Sequence, residues 1–208
     1  MTDSISKQIL LSVLGIALLI IAIVGISYAV FTTTLRGSEE NVITTGTISM
    51  SYVEATNGIS ISNAMPISDY EGKNLTGENN VFDFTVSSVI KGKTTVNYEV
   101  VAEKVSVDGE LVPDQNVRLY LQKKVADQYV DTEITSIPSP FVSNGSVSVL
   151  GSPAEGMILY KGDFTSGEAS GGEFSESFRL RMWLSEDSVI DEIPRTFKIR
   201  VNVYGKVL

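Results

Sequence analysis

Carboxylates are the main side chains in this 208-residue chain with the means to do chemistry. Two acid pairs, Glu186 with Asp187 and Asp191 with Glu192, fall in one short stretch. Paired carboxylates cleave glycosidic bonds, one serving as acid and the other as base or nucleophile. Neighbouring residues of an extended chain point to opposite faces, however, so neither pair is set to share a substrate. The same stretch, and a second set made of Asp127, Asp131 and Glu133 around an expected turn, are the candidate calcium ligands, because calcium takes oxygen alone. Neither set has the spaced ligand order of an EF-hand loop, and solvated loop charge is the simpler account of both.

The missing residue types narrow the chemistry further. The chain has 0 His and 0 Cys. Ser-His-Asp triads, imidazole-bound zinc, histidine general bases, thiol nucleophiles and disulfide frameworks are therefore excluded. No GxSxG elbow, phosphate-binding glycine loop or HExxH helix occurs either. A net charge of -9 repels nucleic acid and anionic lipid heads from the globular part. The expectation is a protein that is not an enzyme and carries no cofactor.

Two sequons, Asn74-Leu75-Thr76 and Asn144-Gly145-Ser146, are candidate glycosylation sites in an exported protein. Export is what the N-terminus predicts. Ile9 to Ile26 is an uninterrupted run of 18 uncharged residues with Ser12 as its one polar side chain. A run near 20 residues is long enough to span a bilayer as a retained helix. A small-x-small site follows at Ser27-Tyr28-Ala29, which suits a signal peptidase cutting between Ala29 and Val30. Both readings stay open: residues 1–29 are a signal peptide, or an anchor holding the membrane through residues 9–28. A buried helix of a soluble domain does not fit, because the run has no polar face.

Beyond Val30 the pattern changes from helical to two-residue alternation, rich in Val, Ile, Thr, Phe and Tyr. Phe82, Phe84 and Val86 share a face, as do Val96, Tyr98, Val100 and Ala102. So do Val117, Leu119 and Leu121; Phe178, Leu180, Met182 and Leu184; and Phe197, Ile199, Val201 and Val203. One apolar and one wet face per strand predicts antiparallel sheets packed as a sandwich. Asn57-Gly58, Asp108-Gly109, Asn144-Gly145 and the glycine-rich residues 166–172 are turn signals, with a hairpin tip expected over Val105–Val112. Residues 63–80 read as a long loop with one short turn of helix, and residues 136–153 as an irregular excursion or an edge. Trp183 and Tyr204 fall on the wet faces, which leaves subunit contact and loop cover both open.

The order of these features resembles the TasA-like and camelysin-like secreted proteins of Gram-positive bacteria, with related archaeal pilins. Gly25-Ile26-Ser27-Tyr28-Ala29-Val30-Phe31 is similar to that family's Tyr-Ala cleavage junction. Asn41-Val42-Ile43-Thr44-Thr45-Gly46-Thr47-Ile48 is similar to its first strand. Residues 63–69, the Phe178–Leu184 strand and the final Lys198–Val203 strand follow the family pattern more loosely. The resemblance implies an all-β, antiparallel jelly-roll-like sandwich after an N-terminal hydrophobic helix, and subunits that polymerise when the freed N-terminus inserts into a neighbour. The metalloprotease label attached to some relatives does not carry over to a chain without histidine.

The donor strand implied is Val30, Phe31, Thr32, Thr33, Thr34 and Leu35, which is β-prone and free of charge and proline. An open sheet edge on another molecule would satisfy its main chain and give it register; pairing within its own domain, or a disordered stalk, are the alternatives. The expected organisation is thus a leader or anchor over residues 1–29, an extended segment over 30–45, and the sandwich over 46–208. The expected function is that of a secreted structural subunit of a fibre or biofilm matrix at the cell exterior, with itself and signal peptidase as partners. The alternative is a membrane-anchored surface or envelope module, viral ones included, that displays the sandwich for binding.

Overall fold

The computed structural model describes residues 32–36, 41–45, 48–54, 59–62, 64–76, 81–189 and 195–207. The apolar N-terminal run, Ala29, Val30 and Phe31 lie outside them.

The described residues form two sheets packed face to face, almost wholly antiparallel. One sheet has the order β1 (Thr32–Arg36), β13 (Arg195–Val207), β6 (Thr94–Lys104), β11 (Met157–Ser166); β4 (Ile59–Ser62) and β7 (Glu110–Leu111) also pair with β13. The other has the order β10 (Ser139–Pro140), β8 (Val117–Val125), β12 (Gly172–Leu184), β5 (Val81–Ile90), β3 (Ile48–Glu54), β2 (Asn41–Thr45), with β9 (Gln128–Asp131) beside β8. Both β1 and β2, from the segment expected to be extended, are thus strands of the two sheets.

The alternation seen in the sequence is what builds the core. Phe82, Phe84 and Val86 of β5, beside Phe178, Leu180 and Met182 of the neighbouring β12, join Val96, Tyr98 and Val100 of β6 in the opposite sheet in one continuous buried cluster. At roughly 25 cal/mol per Å² of apolar surface, a cluster of this size is the main stabilising term. Phe84 stacks on Phe178 with centroids 5.3 Å apart, and Tyr98 on Phe164 at 4.9 Å. Tight corners between the sheets depend on particular residues. Gly171, at φ 83°, passes so near β5 that a Cβ would lie 1.8 Å from the Ile90 carbonyl oxygen.

Two turns have a conformation that their residue types disfavour or a partner that the pattern does not predict. The β8–β9 hairpin turns on Ala126 and Asp127, both with positive φ (47° and 66°), where Asn-Gly would be at ease. The expected hairpin over Val105–Val112 is corrected: its arms do not pair with each other. Val105 N donates to Lys198 O, Val112 N donates to Thr196 O, and β7 runs parallel to the head of β13. Two-residue alternation identifies strands but not their partners, and here the long β13 outcompetes the local return.

Within residues 64–76 the short turn of helix is α1 (Asp69–Lys73). Ser68 caps it, its Oγ accepting from Glu71 N while the Glu71 carboxylate accepts from Ser68 N, the reciprocal capping box.

Candidate functional site

Four places can hold function: the outer edge of β13, the outer face of each sheet, and a polar pocket between the sheets.

The β13 edge is shared by two short strands. β4 pairs with Thr196–Ile199, from Thr196↔Ser62 to Ile199↔Ile59. β1 takes the next stretch, from Arg36↔Asn202 to Thr32↔Lys206. Of the proposed donor residues, Thr32, Thr33, Thr34 and Leu35 therefore pair with β13 of their own chain, as the last strand of that sheet. The far edge of the other sheet is managed differently. Between β10 and β9, the Leu121 backbone is met by side chains: its N–H donates to Thr135 Oγ1 at 2.9 Å, and its carbonyl accepts from Thr132 Oγ1 at 3.1 Å.

The outer face of the seven-stranded sheet is where Trp183 lies, and the structure resolves its role. Its indole is 3% exposed, packed edge-on against Tyr120 and roofed by α1. Beside it, buried Arg181 donates to Leu75 O at 2.9 Å and to Gln122 Oε1 at 2.7 Å. Arg179 grips Asp83 with two bonds of 2.8 and 2.7 Å and lies 4.1 Å above the Tyr129 ring. On the six-stranded sheet, Tyr204 is covered as well, packed with Val101 and Leu150. Loop cover explains both aromatic residues.

Between the sheets, the β8 and β12 alternation turns Lys123 and Glu176 inward, and they meet at 2.7 Å. The Tyr98 hydroxyl donates to the same Glu176, and Lys123 Nζ donates to Tyr160 Oη at 3.0 Å. Burial, followed by the Glu176 bond, raises the Tyr98 pKa far above that of an ordinary tyrosine. Burial would lower the Lys123 pKa, but its bonds to Glu176 and Tyr160 outweigh this and raise it. With all four groups mutually bonded, the cluster reads as an internal lock rather than a reactive centre.

The candidate calcium ligands do not converge. Asp127 pairs with Lys124 at 3.0 Å, and Asp131 accepts from the Tyr120 hydroxyl and from Gln122 Nε2 at 3.2 Å. Glu133, Glu186 and Asp187 are exposed, while Asp191 and Glu192 lie outside the described residues. No group of three or more acidic residues among the described residues is placed to hold a metal ion. The sequons differ from each other. Asn74 is exposed at the end of α1, its Nδ2 donating to Tyr70 O at 2.8 Å. Asn144 is half-buried, with Oδ1 accepting from Ile158 N at 3.0 Å and Nδ2 donating to Pro153 O at 3.4 Å.

No family model and no curated protein matches the chain. Solved structures that it resembles include the infectious bursal disease virus VP2 subviral particle, at 7% identity and a TM-score of 0.29 over 85% of this chain. The chain spans 32% of that VP2 chain. Another is TmCBM61 in complex with beta-1,4-galactotriose, at 6% identity and a TM-score of 0.23, covering 74% of this chain and 86% of that one. A third is the catalytic unit of the GH87 alpha-1,3-glucanase from Streptomyces thermodiastaticus, at 10% identity and a TM-score of 0.19, covering 76% and 25%. Likenesses of this size carry nothing about function.

Proposed function

We propose that the chain is a structural subunit of an extracellular fibre or matrix, a jelly-roll-like member of the TasA-like and camelysin-like proteins, assembled by exchange of its N-terminal strand. The observation that carries this reading is the place of β1. Among the described residues it is the outermost strand of its sheet, bound through main-chain pairing to β13 alone, and it comes shortly after the apolar run. An identical strand from a second copy would make the same pairs in the same register, so exchange costs little beyond association itself. Release of residues 30–36 from the leader by cleavage after Ala29 is the step that would free the strand to move. The passage of consecutive strands from sheet to sheet, as at β5–β6, β11–β12 and β12–β13, is in keeping with the jelly-roll description.

Deletion of Val30–Leu35 tests the proposal. The expected product is a folded monomer by circular dichroism that forms no filaments by electron microscopy; filaments of normal appearance would sink it. N-terminal sequencing of extracellular material adds a second check. A chain starting at Val30 supports the subunit, whereas an intact Met1 or Thr2 points to an anchored surface module.

A further inference from the structure

A groove of about 520 Å³ lies on the six-stranded sheet along the strands β6 and β11, and reaches β13 at Lys206, the partner of Thr32 in β1. Its floor comes from pairs facing each other across these strands, Glu99 with Lys161 and Asn97 with Asp163, and Lys206 of β13 stands opposite Asn97. One wall is Val149 and Leu150, at the tip of the loop that covers this face.

That tip is built around Glu99. Its side chain is 3% exposed, an unusual position for a carboxylate on the outer side of a sheet. Oε2 accepts from Ser148 Oγ at 2.6 Å and from Ser152 Oγ at 2.9 Å. Ser148 Oγ in turn accepts from the backbone N–H groups of Leu150 and Ser152, both at 3.1 Å, so the loop is wound onto this one hydroxyl. Oε1 is treated differently. It meets Lys161 Nζ at 3.6 Å, too long for a hydrogen bond, and that lysine is 61% exposed. Oε1 is thus engaged by a long ion pair with an exposed lysine, a contact that a donor entering the groove can replace.

The groove also sets the charge of its guest. Glu99 and Asp163 oppose Lys161 and Lys206, so an anion meets two carboxylates and a cation meets two ammonium groups. A neutral molecule carrying many hydroxyls meets neither penalty, since it donates to Glu99 and Asp163 and accepts from lysine. It also needs an apolar flank, because Val149 is 86% exposed on the rim. Sugar rings have this combination of equatorial hydroxyls and a C–H face. We infer that the groove over Glu99 binds a neutral oligosaccharide, with Glu99 Oε1 as the central acceptor and Val149 and Leu150 as the apolar wall.

The test uses the full chain in a zwitterionic, sugar-free detergent, titrated with cellohexaose, xylohexaose, mannohexaose and chitohexaose in turn. At least one should shift the backbone amide resonances of Glu99, Ser148, Val149 and Lys161 in a saturable way. Glu99→Gln should weaken that sugar by about tenfold or more, as expected for loss of a charged acceptor. Val149→Glu, a change at an exposed site, should abolish binding with the melting temperature unchanged, so the test survives if Glu99→Gln folds poorly. Absence of saturable shifts with all four sugars, shifts confined to other residues, or binding untouched by Val149→Glu would each overturn the inference.

Discussion

The Tyr98 hydroxyl donates to the Glu176 carboxylate in the space between the two sheets, joining β6 of one to β12 of the other. Tyr98 is wholly buried, and Lys123 completes the arrangement from β8. The link is polar, yet it sits where the sandwich is otherwise apolar, and this makes it sensitive to pH.

The first prediction is a loss of stability in alkali. The Tyr98 pKa is raised by burial and then by Glu176, and that of Tyr120 is pushed up to about 12 by burial and by Asp131. Lys123 is raised as well, its bonds to Glu176 and Tyr160 overriding the effect of burial. Raised values mean that the folded state holds these protons more tightly than the unfolded chain does. Their contribution is complete below the ordinary tyrosine and lysine values of about 10 and is lost as pH rises through the folded values. Urea midpoints should therefore fall steeply above about pH 10. Tyr98→Phe should cost about 1–3 kcal/mol at neutral pH and flatten that alkaline slope. An unchanged slope would mean that Tyr98 is not the group responsible.

Gly72 provides the second prediction. It lies against the Trp183 indole so closely that a Cβ would stand 2.1 Å from Cε2. Gly72→Ala should push α1 off the sheet and destabilise the fold by about 1–3 kcal/mol. Trp183 is the one tryptophan of the chain, so its fluorescence should shift to the red as the roof lifts. Unchanged emission and stability would show that α1 moves aside at no cost.

The β8–β9 turn should be improvable. Ala126 adopts a left-handed conformation at φ 47°, which costs an L-residue with an ordinary side chain about 1–2 kcal/mol. Ala126→Asn, or Asp127→Gly beside it, should stabilise the chain by about 0.5–1 kcal/mol in urea titrations, since Asn-Gly is the residue pair such turns favour. A drop in stability for both variants would contradict the assigned turn.

The proposed strand exchange can be tested by a covalent trap. Thr32 and Lys206 are paired across antiparallel strands, at a Cα spacing a disulfide can bridge. The chain has 0 Cys, so Thr32→Cys with Lys206→Cys introduces a single, clean pair. Oxidised fibres should run as a ladder of multimers on non-reducing gels. Fibres that dissolve into internally cross-linked monomers would show that β1 stays in its own subunit.

Glycosylation should discriminate between the sequons. In a host with the machinery, Asn74 is expected to gain glycan mass and Asn144 is not, because both ends of the Asn144 amide are bonded within its loop. Peptide mass mapping reads this directly, and modification of Asn144 would contradict the packing of that loop.

Much of the sandwich was legible beforehand because a strand's alternation declares which residues must leave water. Phe82 to Val86, Val117 to Leu121 and Phe197 to Val203 all bury the expected face. The same period says nothing about what covers the other face. Trp183, Tyr204 and Glu99 occupy nominally wet positions, and each is buried by a distant segment: α1, Leu150, or the serines of residues 148–152. The Glu99 groove thus went unseen, since a lone carboxylate within an alternating strand looks like any solvated one.

The sequence by itself determined five strands, β5, β6, β8, β12 and β13, with their inner faces, the short helical turn and the exclusion of histidine and thiol chemistry, because these follow from residue type and local period. Tertiary structure alone decided that β7 joins β13, that Lys123 meets Glu176 across a separation of many residues, and that β1 shares an edge with β4. Partner choice depends on which surfaces compete for a strand once the chain is compact, and no local pattern encodes that competition.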